Sequence, residues 1–349
     1  MAKKIFTPIS SVGEFGLIDK VTNDIKPKHK STIVGIGDDS AVLSQGNEEG
    51  RLITSDMLVE NVHFDPTYTP LKHLGYKSIV VNVSDICSMN GVATHAIVCL
   101  GIPNKYSVEH ITELYSGIKM ACRNYNIDLV GGDTTSSSTG LIINITIIGE
   151  AQTNDITYRG GAKPNDIVFV SGDLGAAYLG LQILEREKQI FNKSDSQPEL
   201  ENYQYLLQRQ LKPEARVDVV ELLSKINVIP TSMIDISDGL SSDLIHICNA
   251  SKIGFRLFEE QLPISPEARA TCEELRISPA VCALHGGEDY ELLFTVSPKE
   301  YKKIEKQNEI KAIGHMVEDR SFELVREDKS VIDLKSEGWD SFLSSKKHI

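Results

Sequence analysis

The stretch that decides the fold is LKHLGYKSIVVNVSDICSMN, residues 71–90. It contains no turn signal after Gly75, and it is too long for a typical strand. We therefore predict a buried helix with three- and four-residue spacing along one side. That side carries Leu74, Ser78, Val81, Asp85 and Met89. The β-branched residues around Val80 would favour a strand by propensity alone, so length decides the assignment.

Acidic residues recur at the ends of apolar runs, next to glycine or serine. The runs are STIVGIGDDS (31–40), RLITSDM (51–57), VVNVSDI (80–86), DLVGGDTT (128–135), SMIDISDGL (232–240) and ALHGGEDYELLF (283–294). If their aspartates converge, two carboxylates about 4 Å apart repel each other by roughly 4 kcal/mol at an effective dielectric constant near 20. Bound cations would offset this repulsion, and oxygen-only sites suit Mg²⁺ bound together with substrate phosphates. The pattern therefore predicts a phosphate-handling, Mg²⁺-dependent enzyme.

The composition is that of an ordinary globular protein, with 349 residues of which 41% are hydrophobic and 24% charged. A formal net charge of −13 argues against a nucleic-acid partner, because a polyphosphate backbone needs a basic surface. The six cysteines lack zinc-binding spacing and are expected to be reduced core residues. No apolar run is long enough for a membrane span, and the first residues lack the apolar region of a signal peptide. We expect a cytoplasmic protein without a membrane partner.

The chain is long enough for roughly two domains. The polar stretch EAQTNDITYRGGAKPND (150–166), which contains glycine and proline, is the best boundary, and it separates residues 1–150 from residues 151–349. On both sides, short strands alternate with helices and acidic loops. This order of elements indicates an α/β or α+β protein with two lobes.

Three further segments carry local predictions. The strand that begins at Asp128 is expected to stop at Gly131. GGEDYELLFTV (286–296) is expected to be hairpin-like, and FNKSDSQPELEN (191–202) is expected to be a surface insertion.

Seven motifs together carry a resemblance to a known family. They are GIGDDSAVL (35–43), TSDMLVENVHFDP (54–66), SIVVNVSDICSMNG (78–91), LVGGDTT (129–135), YRGGAKPND (158–166), DISDGLSSD (235–243) and GGEDYELLF (286–294). In this order they resemble the thiamine-monophosphate kinase family. That family belongs to the superfamily of aminoimidazole ribonucleotide synthetase, selenophosphate synthetase and a hydrogenase maturation factor. The resemblance covers nearly the whole chain.

The resemblance implies a two-domain, aminoimidazole ribonucleotide synthetase-like α/β (α+β) fold. Residues 1–150 would bind ATP and Mg²⁺ and pair their sheet with that of a second copy in a homodimer. Residues 151–349 would form an α/β lobe that completes the active site. The implied reaction is ATP-dependent phosphorylation of thiamine monophosphate to thiamine diphosphate, with several Mg²⁺ ions, as the last step of thiamine diphosphate biosynthesis.

Metal binding is implied for eight residues, and Asp38 stays ambiguous. The eight are Asp39, Thr54, Ser55, Asp56, Asp85, Asp133, Asp235 and Asp238. Taken alone, the motifs have structural alternatives: GIGDDS could form an Asx turn, and ITSD or DISD could cap a helix. Asp85 could instead form a salt bridge with a lysine or arginine, because an unpaired carboxylate on a buried helix face loses several kcal/mol of hydration.

ATP binding is implied for Tyr115, Gly132, Asp133, Arg159 and Ser237. The guanidinium of Arg159 could clamp a phosphate with two parallel hydrogen bonds, although a solvated loop arginine is the usual alternative. Tyr115 lies on a predicted helix, where an aromatic side chain usually packs into the core.

Thiamine monophosphate binding is implied for His63, Glu288 and Trp339. A carboxylate or an aromatic face can stabilise the positive charge of the thiazolium ring. Trp339 could equally anchor the C-terminal segment, and His63 could be a buried, hydrogen-bonded imidazole. Asn61 stands where the family usually has glycine before the V-H-F motif, which puts the geometry of that loop in question.

The acceptor phosphate has a second pKa near 6, so it is mostly dianionic at neutral pH and needs no general base. We therefore expect direct in-line transfer of the γ-phosphoryl group without a dedicated catalytic residue. The first fifty residues contain no cysteine and the sequence ends SSKKHI, unlike the cysteine patterns of selenophosphate synthetases and of the hydrogenase factor. A ribonucleotide synthetase of the same superfamily, or a non-catalytic nucleotide or metal sensor, remains an alternative.

Overall fold

The first half of the chain forms a helix-backed sheet. The computed structural model describes residues 7–46, 48–194 and 197–335. The elements before residue 153 are α1 (Gly13–Thr22), β1 (Thr32–Val34), β2 (Ala41–Gly46), β3 (Glu49–Val59), α2 (Leu71–Ser88), β4 (Val92–Ile102), α3 (Val108–Asn124), β5 (Asp128–Ser136) and β6 (Ile142–Gln152). Their strands form one sheet in the order β1-β2-β3-β6-β4-β5, in which only β4 and β5 pair in parallel among the described strands.

The second half forms another sheet with more helices around it. Its elements are β7 (Ile167–Ser171), α4 (Ala176–Ser194), α5 (Gln204–Leu211), α6 (Val217–Lys225), β8 (Ser232–Asp235), α7 (Leu240–Ser251), β9 (Gly254–Phe258), α8 (Pro266–Leu275), α9 (Pro279–His285), β10 (Leu292–Val296), α10 (Tyr301–Ile304), β11 (Ile310–Val317), β12 (Phe322–Val325) and β13 (Val331–Asp333). The strand order is β13-β12-β9-β11-β7-β10-β8. Three short 3-10 helices lie at Ile9–Ser11, Glu201–Tyr203 and Glu259–Gln261.

Helix α2 is confirmed as a buried helix, and it lies between the two sheets. It packs against β3, β4, β6 and α3 of the first half and against β8, β10 and α5 of the second. Nearly every residue from Leu74 to Ser88 is buried, polar side chains included, so the helix is enclosed on all sides. Glycine allows the contact with α3: a Cβ on Gly75 would lie 2.0 Å from the Leu114 carbonyl oxygen, and one on Gly117 would lie 1.9 Å from that of Lys72.

Two of the local predictions were wrong. The strand from Asp128 continues to Ser136, because pairing with β4 carries it through the glycines with a register shift next to Ile97. GGEDYELLFTV is not a hairpin: residues 286–291 form a loop, and β10 pairs with β7 and β8, which come from distant parts of the sequence. In the segment 191–202, α4 continues to Ser194.

The chain passes from the first sheet to the second between Gln152 and Ile167. The division into residues 1–150 and 151–349 as separate domains stays a prediction. Among the residues described, none of the helices is both long enough and apolar enough to cross a membrane.

Candidate active site

Three of the predicted carboxylates meet at the junction of the two sheets. Asp39 lies in the loop before β2, Asp85 lies on α2, and Asp235 ends β8. One carboxylate oxygen of each lies within 4.8 Å of those of the other two. Residues from both halves of the chain therefore form this carboxylate cluster, which we define as Asp39, Asp85 and Asp235.

A hydroxyl group orients each member of the carboxylate cluster. Thr54 Oγ1 donates a 2.6 Å hydrogen bond to Oδ2 of Asp85. Ser84 Oγ donates a 2.6 Å hydrogen bond to Oδ2 of Asp235, and Ser88 Oγ donates one of 2.7 Å to Oδ2 of Asp39. All three donors are neutral, so they fix the carboxylates without removing their mutual repulsion.

Burial and mutual repulsion perturb the acidic groups of the site. The pKa of Asp235 is raised to about 8, first by burial and then by the charge of Asp39. Burial and the charge of Asp56 raise the pKa of Asp85 well above its ordinary value. The pKa of Asp56 itself is raised to about 6 by burial, Asp39 and Glu14. Such a cluster either holds protons or binds a cation, and its all-oxygen donor set fits Mg²⁺.

Arg159 provides the positive charge next to the cluster. Its Nε donates a 2.9 Å hydrogen bond to Oδ1 of Asp39, and its Nη2 bonds the same oxygen. Its main-chain N–H lies 3.2 Å from Oδ2 of Asp38. Burial, and then Asp39, raise the pKa of Asp38 to about 6. Arg159, which we predicted to bind a phosphate, thus binds the carboxylate of Asp39 in this structure.

Strand β3 divides the Thr54–Ser55–Asp56 motif between its two faces. Thr54 faces α2, and the main-chain N–H of Asp56 donates a 2.9 Å hydrogen bond to Oδ1 of Asn82, which is also on α2. The Ser55 hydroxyl lies on the opposite face, where it contacts Thr146 Oγ1 at 2.9 Å. Successive side chains of a strand point to opposite faces, so the three oxygens cannot converge. A metal role for Ser55 would need its main-chain carbonyl.

Asp133 lies outside the carboxylate cluster, on the exposed strand β5. The neighbouring Gly132 has no room for a side chain, because a Cβ would lie 1.8 Å from the carbonyl oxygen of Val98. Glycine at this position is therefore required by the packing of β5 against β4. Tyr115 is half-buried on α3 and lines an open groove of about 490 Å³ between α3 and the end of β4. The groove is lined by Ile102, Tyr106, Ser107, Val108, Ile111, Thr112, Tyr115 and Lys119.

Asp238 and Ser237 are partly exposed in the loop that leads into α7. This loop is held by Asp243, a buried residue of the DISDGLSSD motif whose role the sequence did not indicate. Its Oδ2 accepts hydrogen bonds from the main-chain N–H groups of Gly239 at 3.0 Å and Asp238 at 3.3 Å. Burial, and then Asp238, raise the pKa of Asp243 well above its ordinary value.

The two described residues predicted to bind thiamine lie near each other, one from each half of the chain. His63 Nδ1 accepts a 3.0 Å hydrogen bond from the N–H of Val59. The pKa of His63 is lowered, because the effect of burial outweighs the opposing charge of the nearby Glu288. Asn61 has φ of 63°, a left-handed conformation that asparagine adopts more readily than most residues. Asparagine can therefore replace the usual glycine in this loop. Trp339 lies outside the described residues.

Sequence reasoning missed several residues around this site. Lys77 on α2 forms a 2.8 Å ion pair with Glu288. Glu14 on α1 contributes to the raised pKa of Asp56. Its neighbour Phe15 contacts His246 of α7, with ring centroids 4.3 Å apart and the ring planes tilted by 42°. A lysine within an apolar helix and an acidic residue on a short amphipathic helix carry no local sign of a site.

The last acidic residues of the GGEDYE motif stabilise the fold. Asp289 Oδ2 accepts a 2.7 Å hydrogen bond from the N–H of Gly175, just before α4. Glu291 pairs with Arg216 and, at 3.0 Å, with Arg209. These buried ion pairs anchor the loop that carries Glu288.

The chain is similar to known proteins over most of its length. The family model described as AIR synthase related protein, N-terminal domain, matches residues 37–151, and the corresponding C-terminal domain matches residues 163–327. The thiamine-monophosphate kinase of Bacillus subtilis is 34% identical over 338 residues, which are 94% of this chain and 99% of that protein. That of Aquifex aeolicus is 38% identical over 292 residues, 84% of this chain and 88% of its own.

A solved structure of AaThiL complexed with AMPPCP and TMP resembles the whole chain. It superposes with a TM-score of 0.82 at 32% sequence identity and covers 97% of this chain and 99% of its own.

Proposed function

We infer the reaction from the premise that this chain belongs to the thiamine-monophosphate kinase family, within the AIR synthase related proteins. ATP donates its γ-phosphoryl group to thiamine monophosphate, and the products are thiamine diphosphate and ADP. The observation that carries this conclusion is the carboxylate cluster at the junction of two sheets, in a chain that matches such kinases over nearly its whole length.

We propose that the carboxylate cluster, together with Thr54 and Asp56, holds Mg²⁺. The support is the short separation of three buried or half-buried carboxylates, whose repulsion a divalent cation would offset. Asp133, Asp238 and the main chain of Ser55 complete the proposed metal set. When bound, Mg²⁺ would screen the repulsion between two anionic substrates and stabilise the charge that develops during transfer.

ATP is proposed to lie between the cluster and the exposed strand β5. Tyr115 lines an open groove, formed by α3 and the end of β4, that can accommodate a planar base, and Gly132 and Asp133 lie on β5, which pairs with β4. Ser237 approaches from the loop before α7. Arg159 is proposed to release Asp39 when a cation neutralises that carboxylate, and its guanidinium then binds a phosphate.

Thiamine monophosphate is proposed to bind with its cationic ring near Glu288 and His63. The ring would lie beside a carboxylate, while its phosphate faces the cluster. Trp339 stays a proposed contact to the substrate. A phosphate dianion is already a competent nucleophile, so the residues of the site orient the substrates and none acts as a base.

A homodimer is proposed from the open face of the first sheet. Alternate residues of β3, β4 and β6 are buried beneath α2 and α3, whereas those on the other face stay half-exposed in the described chain. The open face carries apolar side chains such as Ile53, Met57, Ile97 and Ile148. A second copy that pairs there would cover them.

The direct test incubates the purified protein with Mg²⁺-ATP and thiamine monophosphate and follows thiamine diphosphate by phosphorus NMR. Turnover of formylglycinamidine ribonucleotide in place of thiamine monophosphate would instead indicate a ribonucleotide synthetase. In-line transfer is expected to invert a chiral γ-phosphorus, and net retention would indicate a phosphoenzyme.

A further inference from the structure

Lys77 is a buried cation that joins the two halves of the chain. Its side chain is 6% exposed, and its Nζ lies 2.8 Å from Oε1 of Glu288. The same Nζ donates a 3.0 Å hydrogen bond to the main-chain oxygen of Gln210 on α5. A buried ammonium group destabilises the folded state unless it is paired and hydrogen-bonded. The two contacts of Lys77 therefore hold α2 in place against Glu288 and α5.

Glu288 is held at each carboxylate oxygen and also along its backbone. Gln210 Nε2 donates a 2.6 Å hydrogen bond to Oε2, while Lys77 binds Oε1. The residue has φ of 65°, and its N–H donates a 2.8 Å hydrogen bond to the carbonyl of Ser237. A left-handed conformation at a residue other than glycine persists only where surrounding contacts fix it. The carboxylate of Glu288 is therefore preorganised.

One face of α2 contacts both ends of the site. Lys77, Ser84 and Ser88 follow one another at seven- and four-residue spacing, which keeps them on the same side of a helix. Ser84 and Ser88 orient Asp235 and Asp39 of the carboxylate cluster. Lys77 precedes Asp85 by about 12 Å along the helix axis, at 1.5 Å per residue. A single rigid element thus fixes the distance between Glu288 and the cluster.

We propose that Lys77 is a positioning residue for thiamine monophosphate, which it serves by holding the Glu288 carboxylate at a set distance from the carboxylate cluster. The proposal rests on the proposed function, since Glu288 is the group that faces the cationic ring. In this arrangement α2 sets the distance between Glu288 and the carboxylate cluster. The site then favours substrates whose cationic group and phosphate are separated by that distance. In the proposed arrangement ATP lies on the side of β5 and Tyr115, away from Glu288, so Lys77 is expected to leave ATP binding unaffected.

The test compares Lys77→Met with Lys72→Met, a matched change of an exposed lysine on the same helix. Lys77→Met is expected to raise the KM for thiamine monophosphate at least about tenfold, because it releases a buried charged partner. The KM for ATP is expected to stay within about twofold of the wild-type value. In Lys72→Met, the KM values for both substrates are expected to stay within the same range. In a Glu288→Gln background, Lys77→Met is expected to add little further loss.

Equal increases of both KM values, or additive losses in the Glu288→Gln background, would overturn the proposal. If circular dichroism shows that Lys77→Met does not fold, Gln210→Leu carries the test, since it frees the other oxygen of Glu288. That variant is expected to raise the KM for thiamine monophosphate alone, and an unchanged KM would contradict the proposal. Wild-type protein that does not phosphorylate thiamine monophosphate would refute the proposed function itself, before any variant is compared.

Discussion

Ser84 Oγ donates a 2.6 Å hydrogen bond to Oδ2 of Asp235, and this bond joins α2 of the first half to β8 of the second. Both residues are buried. The hydroxyl fixes the direction in which the carboxylate presents its other oxygen to the cluster. Asp235 therefore depends on a residue from the opposite half of the chain for its orientation.

Removal of this hydroxyl is expected to weaken metal binding. Ser84→Ala should raise the Mg²⁺ concentration needed for half-maximal activity roughly tenfold, because partners that orient metal ligands typically contribute 10- to 100-fold in affinity. The control is Ser78→Ala, which removes a buried hydroxyl of the same helix that bonds only to the carbonyl of Gly75 among the described contacts. Equal Mg²⁺ requirements in the two variants would contradict the role given to Ser84.

Asp85→Asn should reduce kcat at saturating Mg²⁺ by at least about a hundredfold, since electrostatic stabilisation is usually the largest catalytic contribution. The amide still accepts the hydrogen bond from Thr54, and it removes a repelling charge from the cluster. The melting temperature of the metal-free variant should therefore equal or exceed that of the wild type. Asp333→Asn, an exposed change on β13, provides the control for activity. Near-normal kcat in Asp85→Asn would refute the metal role.

The stability of the metal-free protein should fall as the pH rises through the pKa values of the site. The folded pKa of Asp56 is about 6 and that of Asp235 about 8, both above the ordinary 3.8. A raised carboxyl pKa stabilises the folded state fully below the unfolded value, and this contribution is lost as the pH rises through the folded value. The affected window runs from about pH 4 to about pH 8.

Because Mg²⁺ binds the ionised carboxylates, it should raise the melting temperature more at the upper end of this window than at its lower end. Differential scanning calorimetry with Mg²⁺ or with a chelator measures both effects. In Asp235→Asn, the Mg²⁺-induced rise in melting temperature should depend much less on pH. A Mg²⁺ effect that is independent of pH would contradict a cluster that exchanges protons for metal.

The sequence was sufficient to predict α2, because length and apolar spacing outweighed the β-branched residues that favour a strand. It was not sufficient to bring Asp39 and Asp235 together, since their contact depends on how α2 packs between two sheets. Only the ordered resemblance to a family supplied that proximity. Lys77 was missed because its partner Glu288 is distant in sequence and reaches it only in the folded chain. Asp243 was missed although its partner, the N–H of Gly239, lies only four residues earlier, because the acidic residues before it in the same motif drew the metal-binding interpretation.

The proposed homodimer gives a test on the open face of the first sheet. Met57 is 51% exposed there, near the C-terminal end of β3. Met57→Arg would place a charge in an apolar interface and is expected to shift the protein from dimer to monomer in light scattering. Met57→Leu is the matched control and should keep the dimer. A wild-type protein that is monomeric at micromolar concentration would contradict the proposal.

Thr54 and Ser55 allow the metal set to be tested one strand position at a time. The Thr54 hydroxyl bonds Asp85, whereas the Ser55 hydroxyl contacts Thr146 on the other face of the sheet. Thr54→Val keeps the shape of the side chain and removes its hydroxyl, so it should raise the Mg²⁺ concentration needed for half-maximal activity by about tenfold. Ser55→Ala should leave that concentration unchanged, because a carbonyl ligand survives the substitution. If Ser55→Ala raised the Mg²⁺ requirement as much as Thr54→Val, its hydroxyl would have to reach the cluster, and β3 would have to change its register when metal binds.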